Sequence, residues 1–313
     1  MNPFTFIKDA RLRYLEYLDA GGYEVVVTQK PHEPSGDLAV HDSSLGLCPK
    51  KAALERTGAT PTHPALAAFT FTDLHRMRDG VIVEHDWIAS LRYFHPESWL
   101  VRDGVPLNGP TRGKVDAWLV FPPNYDQPQI DEDRYAETLV EFKRTDSSLK
   151  EGYVYQLCSY LYKAGGGALG KIILDHRHMV EEFTLKPILD GVRLAGWQVL
   201  SEKGEQEAAC MVTDLLAEIE AHQWWLNELS QYSVGPLLPT GIQSPLDSWQ
   251  CHQDWRKREG KARFRCPYAG YCFGVQADEF DVHNEKEGRK IVARVIVADD
   301  GREFRHLEMN GDE

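Results

Sequence analysis

The spacing of apolar residues predicts alternating helical and extended segments along the chain. Apolar positions recur at helical spacing among charged residues over 3–20, and Gly21 and Gly22 end this pattern. We therefore expect an N-terminal helical appendage that spans residues 1–40. Further helices are predicted at about 48–56, 65–94, 153–163 and 202–229.

Short segments rich in β-branched and aromatic residues predict strands in the middle of the chain. The two clearest run over 114–121 and 136–144, with a polar loop between them. Apolar alternation at 289–307 predicts a C-terminal hairpin. Two more strands are predicted at 171–174 and 182–185. Helices interspersed with strands indicate an α/β fold.

Composition limits the classes of protein to consider. The 313 residues are 42% hydrophobic and 27% charged, which is typical of a globular protein with a sizeable core. No apolar run reaches the roughly 18 residues of a membrane helix, and the N-terminus lacks a signal-peptide pattern. We expect a cytoplasmic protein with no membrane partner. There, six cysteines indicate metal ligands, buried apolar residues or redox groups rather than disulfides.

The net charge of -13 means that nucleic acid could bind only where basic residues are concentrated. One such concentration lies between two cysteines near the C-terminus and includes two aromatic residues. It consists of Trp255, Arg256, Lys257, Arg258, Lys261, Arg263, Phe264 and Arg265. A solvated charged face is the alternative interpretation of this run.

Acidic residues on the two clearest strands indicate a metal site. Glu141 and Lys143 are two apart on a strand and so share a face, while Phe142 faces the opposite layer. If the two strands pair, Asp116 lies beside Glu141 and supplies a second hard oxygen ligand for Mg²⁺ or Mn²⁺. Such an ion promotes phosphodiester hydrolysis, and Lys143 can orient the water or stabilise the phosphorus.

The order of these motifs resembles that of a known nuclease family. Gly-x-x-Asp ends at Asp116, Glu-x-Lys spans 141–143, and Gln156 and Tyr160 follow as neighbours on one helix face. The set resembles the RecB-like nucleases of the PD-(D/E)XK superfamily. The resemblance implies that Gln156 and Tyr160 support the active site and contact the DNA backbone. It also implies the backbone carbonyl of Phe142 as an extra metal ligand.

A third metal ligand is implied on the long helix before the strands. The family pattern Gly-x-x-x-(Glu/His) fits Gly80 and Glu84, which share a helix face. His75 is the alternative, since many RecB-like members use histidine. One straight helix cannot direct both His75 and Glu84 to one metal, because nine positions place them about half a turn out of phase. We therefore expect Glu84 to be the ligand.

Four cysteines bracket the nuclease motifs, one early and three late. They are Cys48, Cys251, Cys266 and Cys272. This layout resembles the iron-sulfur RecB-like exonucleases of CRISPR systems and phages, although 14 residues separate Cys251 from Cys266 where the family has two, and His252 is a possible substitute. The resemblance implies a [4Fe-4S] cluster, with Zn²⁺ as the alternative that spacing alone leaves open. Cys158 and Cys210, within helical apolar patterns, are expected to be buried small residues.

The resemblance implies a restriction-endonuclease-like core, with a central mixed sheet flanked by helices, and a cysteine-clasped cluster subdomain. The core is expected to span 41–232, the cluster subdomain 233–274 and a hairpin tail 275–313. The expected activity is metal-dependent exonucleolytic cleavage of DNA, preferentially single-stranded, with recombination or CRISPR adaptation proteins as possible partners. The alternatives are a DNA-processing endonuclease and a non-catalytic DNA-binding or scaffold protein.

Overall fold

The structure, a computed structural model, describes residues 2–22, 38–59, 71–94, 100–123, 127–145, 147–176, 178–230, 255–258, 261–264, 268, 290–297 and 303–310. Only the backbone is described at 71–78, at 94 and in the strands beyond 230. The chain divides into two compact units. The first comprises Met1–Gly46 and Thr72–Gln223, and the second comprises Leu47–Phe71 and Trp224–Glu313.

Five helices lie within the described residues. They are α1 (Phe6–Asp19), α2 (Pro49–Arg56), α3 (Phe71–Phe94), α4 (Glu151–Lys163) and α5 (Val212–Ser230). The helices predicted at 3–20, 48–56 and 153–163 are thereby confirmed, as is the part of the helix predicted at 65–94 that lies within the described residues. None of the helices in the described ranges is both long enough and apolar enough to cross a membrane.

Nine strands of the first unit lie within the part of the chain that the structure describes. They are β1 (Leu100–Pro106), β2 (Lys114–Val120), β3 (Gln129–Ile130), β4 (Asp133–Arg134), β5 (Glu137–Arg144), β6 (Leu169–Asp175), β7 (Val180–Asp190), β8 (Arg193–Leu200) and β9 (Gln206–Met211). Seven of them form one mixed sheet in the order β1-β2-β5-β6-β7-β8-β9, and β3 pairs with β4. With the helices that flank it, this sheet confirms the α/β class.

The parallel pair at the centre of the sheet fixes its architecture. Strands β5 and β6 run parallel, whereas the other neighbours in this sheet are antiparallel. A parallel pair needs a crossover connection, and α4 provides it. The first six residues of β6 are all buried, as expected for a strand covered on both faces. The catalytic motifs predicted from the sequence lie along this strand–helix–strand segment and on β2 beside it.

The second unit contains two antiparallel hairpins within its described residues. Strand β10 (Trp255–Arg258) pairs with β11 (Lys261–Phe264), and β12 (Lys290–Val297) pairs with β13 (Glu303–Asn310). The β12–β13 pairing confirms the C-terminal hairpin that the alternating pattern predicts.

The helix predicted at 202–229 is wrong in its first third. Residues 206–211 form strand β9 along β8, and α5 begins only at Val212. Pairing at the sheet edge overrides the local helical spacing here. Cys210 is buried as expected, but it lies on β9 rather than on a helix, while Cys158 is buried on α4 as expected.

Strands β1 and β8 of the large sheet are not predicted from the sequence, and neither are the short pairs β3–β4 and β10–β11, which lie in segments predicted to be loops. Strand β1 is at the sheet edge and has no fully buried residue, so it lacks the apolar alternation of a half-buried strand. Strand β8 contains Gly196, where a Cβ would overlap the carbonyl oxygen of Cys210 on β9. The close approach of the two backbones requires a glycine, and a glycine weakens the strand signal.

Helix α1 contributes to the hydrophobic core of the first unit. Phe6, Ile7 and Ala10 of α1 are fully buried in a cluster with side chains of α3, β2, β5 and β6. The helix expected to form an appendage is therefore packed into the first unit. Phe142 of β5 lies in the same cluster and stacks on Trp87 with ring centroids 5.8 Å apart, which confirms that it faces away from the layer of its neighbours.

A buried ion pair fixes the N-terminal helix to the sheet. Lys171 of β6 lies 2.8 Å from Glu182 of β7, and neither side chain is exposed. Lys171 also donates to the hydroxyl of Thr184 and the carbonyl of Pro3. Glu182 accepts the backbone N–H of Lys8 at 3.0 Å, so its carboxylate caps the first turn of α1. Burial raises the pKa of Glu182 and lowers that of Lys171, because each charge loses its hydration.

Replacing Glu182 by alanine is expected to lower the free energy of unfolding by about 3–5 kcal/mol, because it leaves a buried ammonium unpaired and α1 uncapped. Urea unfolding measures this change. Asp133→Ala is the matched control, since Asp133 pairs with Lys186 at 3.0 Å but is 62% exposed, and it should cost less than about 1 kcal/mol. Equal losses in the two variants would contradict a structural role for the buried pair.

Candidate active site

The pairing of β2 with β5 brings two acidic residues together. Ala117 pairs with Val140, so the next position along places Asp116 opposite Glu141. The backbone N–H of Phe142 donates to Asp116 Oδ2 at 2.8 Å and holds this carboxylate against β5. The structure therefore gives Asp116 and Glu141 the adjacent positions that the sequence predicts for a pair of strands.

Glu141 has one well-bonded oxygen and one without a partner. Its Oε1 accepts hydrogen bonds from the ammonium of Lys143 and from Gln156 Nε2, the latter at 2.7 Å. Its Oε2 is buried and has no hydrogen-bond partner within the described residues. A buried acceptor left unpaired is costly and marks a position where a further group would bind.

Glu84 of α3 faces the same group of charges. Burial and the negative charge of Asp116 raise the pKa of Glu84 to about 7, while Lys143 acts in the opposite direction. Gly80, one turn earlier, has no atom within 4 Å of where a Cβ would stand, so the space beside it is open. His75, the alternative ligand, lies on α3 where only the backbone is described.

The four charged groups influence one another strongly. Burial raises the pKa of Asp116, and burial with repulsion from Asp116 raises the pKa of Glu141 to about 8. Burial disfavours the ammonium of Lys143, but Glu141 and Asp116 outweigh it, and the pKa of Lys143 is raised. Three carboxyl groups thus lie near one ammonium group, and the raised pKa values of Glu84 and Glu141 mean that these two groups retain protons, which a divalent ion would displace.

This donor set fits a hard cation such as Mg²⁺ or Mn²⁺ by its chemistry, since the donors are carboxylate oxygens. Among the described side chains, however, no three acidic, histidine or cysteine residues already surround a common ion position. One oxygen of Glu141 is instead paired with the ammonium of Lys143. For both Glu141 oxygens to bind a metal ion, Lys143 must give up this contact.

Gln156 and Tyr160 support Glu141 from α4. The Gln156 amide donates both to Glu141 and to the Tyr160 hydroxyl, the latter at 3.0 Å, and both side chains are buried. Burial and the charge of Glu141 raise the pKa of Tyr160, which therefore stays protonated. These contacts place the pair behind Glu141. Their contact with a DNA backbone stays a prediction.

A buried polar cluster beside Tyr160 was not found from the sequence. Asp42 accepts hydrogen bonds from Thr111 at 2.5 Å and from Lys163 at 2.6 Å, and the Thr111 hydroxyl lies 2.9 Å from that of Ser159. The Lys163 ammonium also lies 5.0 Å from the centre of the Tyr160 ring. These contacts link residues distant in sequence and have no local signal.

The cluster explains the glycine of the Gly-x-x-Asp motif. A Cβ at Gly113 would overlap Asp42 Oδ2 and would stand 3.0 Å from the Tyr160 ring. Glycine is therefore required by the close approach of these two side chains. Gly113 is fixed by its close approach to Asp42 and Tyr160, and Asp116 is fixed by its hydrogen bond to β5. Both ends of the motif are therefore held in place.

Tyr153 is a second feature missed by sequence reasoning. The centre of its ring lies 5.6 Å from the ammonium of Lys143 and 5.5 Å from that of the exposed Lys150. Two positive charges and one aromatic ring are thus close together at the start of α4.

The predicted cysteine site lies mostly outside the described residues. Cys48 is half-buried and immediately precedes α2 in the second unit, and Cys251, Cys266 and Cys272 are not described. The basic run forms part of the β10–β11 hairpin of the second unit, where the backbone is described.

Comparison with known proteins gives little further information. No family model matches the sequence, and no curated protein matches it. Among solved structures, the crystal structure of SSO0001 is similar with 14% sequence identity and a TM-score of 0.37, over 85% of this chain and 93% of that chain. At this level the likeness identifies neither the family nor the function.

Replacing Glu84 by glutamine is expected to stabilise the metal-free protein at high pH. Since its folded pKa is about 7 against an ordinary 4.5, the folded protein holds this proton more tightly, and stability falls as the pH rises through that window. Glutamine does not ionise. The variant should match the wild type near pH 4.5 and melt about 2–4 °C higher at pH 8.5, a gain of roughly 1 kcal/mol.

Thermal melts at the two pH values, with and without Mn²⁺, measure this difference. Added Mn²⁺ should stabilise the wild type more than the variant, because the variant has lost a carboxylate ligand. Glu132→Gln, at an exposed position, is the control. A Glu84→Gln variant that behaves like this control at both pH values would show that Glu84 is not part of the site.

Proposed function

We propose that the protein is a metal-dependent deoxyribonuclease of the RecB-like group in the PD-(D/E)XK superfamily, with a restriction-endonuclease-like core around its seven-stranded sheet. The observation that carries this proposal is the buried group formed by Asp116, Glu141 and Lys143, with Glu84 coupled to it electrostatically. A surplus of buried carboxylates and an unpartnered carboxylate oxygen are difficult to explain as structural features alone.

The residues that would hold Mg²⁺ or Mn²⁺ are Glu84, Asp116 and Glu141, with the backbone carbonyl of Phe142 as a further donor. When bound, the ion supplies charge neutralisation of the phosphate and lowers the pKa of the attacking water. The buried Oε2 of Glu141, which has no hydrogen-bond partner within the described residues, supports this assignment.

The protein's own side chains divide the remaining work. The raised pKa of Lys143 keeps its ammonium charged, so it acts as a hydrogen-bond donor that orients water and stabilises charge developing on the phosphate. Gln156 acts as a positioning residue, because its amide fixes the orientation of the Glu141 carboxylate. Tyr160 fixes the Gln156 amide in turn.

Single-stranded DNA digested from an end is the proposed substrate. Lys150 and Tyr153 lie beside Lys143 of the site, and a cationic group with an aromatic ring is a combination typical of single-strand binding. Arg256 and Arg258 of the second unit, from the basic run that also contains Trp255 and Lys257, are proposed as further DNA contacts. Service in recombination, repair or CRISPR adaptation belongs to the same proposal.

The cysteine centre is proposed as a [4Fe-4S] cluster held by Cys48, Cys251, Cys266 and Cys272, within a cluster subdomain. Support comes from the position of Cys48, which lies directly before the N-terminus of α2 and is half-buried. A helix N-terminus favours the thiolate form that binds metal. Zinc is the alternative occupant.

Lys143→Ala and Glu141→Ala are each expected to reduce Mg²⁺- or Mn²⁺-dependent digestion of labelled linear single-stranded DNA by about 10²-fold or more, since each removes a group that acts on the reacting phosphate. Lys203→Ala, at an exposed lysine, is the control and should retain full activity. Circular single-stranded DNA should remain intact. Its cleavage would indicate an endonuclease, and binding without any cleavage would indicate a DNA-binding or scaffold protein.

Protein purified without oxygen is expected to be brown and to contain about four iron and four sulfide ions per chain. Serine at any of the four cysteines should reduce the iron content, whereas Cys158→Ala should not, because Cys158 is buried on α4. Metal analysis and the visible spectrum measure both. Colourless protein that contains one zinc ion would indicate a zinc site in place of the cluster.

A further inference from the structure

The β10–β11 hairpin has a register that separates its basic residues. Trp255 pairs with Phe264, Arg256 with Arg263, Lys257 with Ala262, and Arg258 with Lys261. Five of the eight strand residues are lysine or arginine. The sequence alone could not assign these residues to faces, since the pairing of the two strands was unknown.

Residues directly opposite one another lie on the same face of a ribbon, and so do residues two apart on one strand. Arg256, Arg258, Lys261 and Arg263 therefore occupy one face, which we call the cationic face. The opposite face has the positions of Trp255, Lys257, Ala262 and Phe264. Four of the five basic residues are thus on one side, and the two aromatic positions are paired on the other.

The cationic face is unfavourable for the fold by itself. Both of its cross-strand pairs, Arg256 with Arg263 and Arg258 with Lys261, oppose like charges, which destabilises a two-stranded ribbon. The chain has a net charge of -13, so acidic residues are abundant, yet none stands opposite these basic residues in the ribbon. A local conflict of this kind is expected where binding, rather than folding, determines the residues.

We propose that the cationic face of the β10–β11 ribbon binds the phosphate backbone of a nucleic-acid strand, and that Lys257 takes no part in this contact. A phosphate backbone presents the regular row of negative charges that relieves both like-charge pairs. The proposal rests on the proposed function in one respect: it takes the bound strand to be the substrate of the nuclease. It adds Lys261 and Arg263 to Arg256 and Arg258 as DNA contacts, and it leaves out Trp255 and Lys257, which lie on the opposite face.

Binding of a fluorescent single-stranded oligonucleotide without divalent metal, over a range of salt concentrations, tests the proposal. Alanine at Arg256, Arg258, Lys261 or Arg263 should each reduce the slope of log K against log salt by about 0.7, the value for one phosphate contact on a single strand. Lys257→Ala is the matched control, because it removes the same charge from the same ribbon. It should leave the slope unchanged.

Charge reversal separates binding from folding. Arg263→Glu creates an opposite-charge pair with Arg256, so the variant should melt at the same temperature as the wild type or higher while binding the oligonucleotide more weakly. Loss of binding and stability together would show a structural role and overturn the proposal. So would an equal effect of Lys257→Ala and Arg256→Ala, or preferential binding of polyglutamate over the oligonucleotide.

Failure of the proposed nuclease activity would give a different result. A chain that does not cleave DNA but shows the predicted slopes would keep the cationic face and remove the catalytic assignment. If cleavage occurs, alanine at cationic-face positions should raise the DNA concentration needed for half-maximal rate more than it lowers the rate at saturation. A change confined to the saturated rate would count against the proposed contact.

Discussion

The antiparallel pairing of β2 with β5 is the constraint on which the first unit's site depends. It sets Asp116 beside Glu141 where little water remains, so that burial and the charge of Asp116 make ionisation of Glu141 less favourable. Lys143 is the single cation among them and bonds to Glu141. The amide on α4 and the acid on α3 lie around these charged groups, and this arrangement is the basis of the proposed divalent ion.

Such a site reduces stability, and two buried ion pairs elsewhere in the unit hold the elements that carry it. Lys171 and Glu182 join β6 to β7 and to the start of α1. Asp42, in a 3-10 turn at 42–44, pairs with Lys163 at the end of α4 and accepts a hydrogen bond from Thr111 in the turn before β2. The two pairs therefore hold α4 and β6, the helix and strand that follow Glu141 in the chain.

Local patterns made most of the site predictable. Two residues on one strand, or four apart on one helix, share a face regardless of the rest of the chain, and this sufficed for Glu141 with Lys143 and for Gln156 with Tyr160. Asp42 and Lys163 are separated by 121 positions and meet only in the folded unit. Strand β9 was predicted as helix for the same reason, because its pairing with β8 is invisible to local spacing. The faces of the β10–β11 ribbon likewise required the observed register.

The order of the site's residues along the chain has a consequence for how the protein is made. Glu84 and Asp116 leave the ribosome first and are fully hydrated, with the ordinary acidity of free carboxylates. Glu141 is enclosed by Gln156 of α4 and by β6, which pairs with β5, and both elements follow it in the chain. The full burial of the carboxylates, and with it their mutual repulsion, therefore requires segments that are synthesised after all three of them.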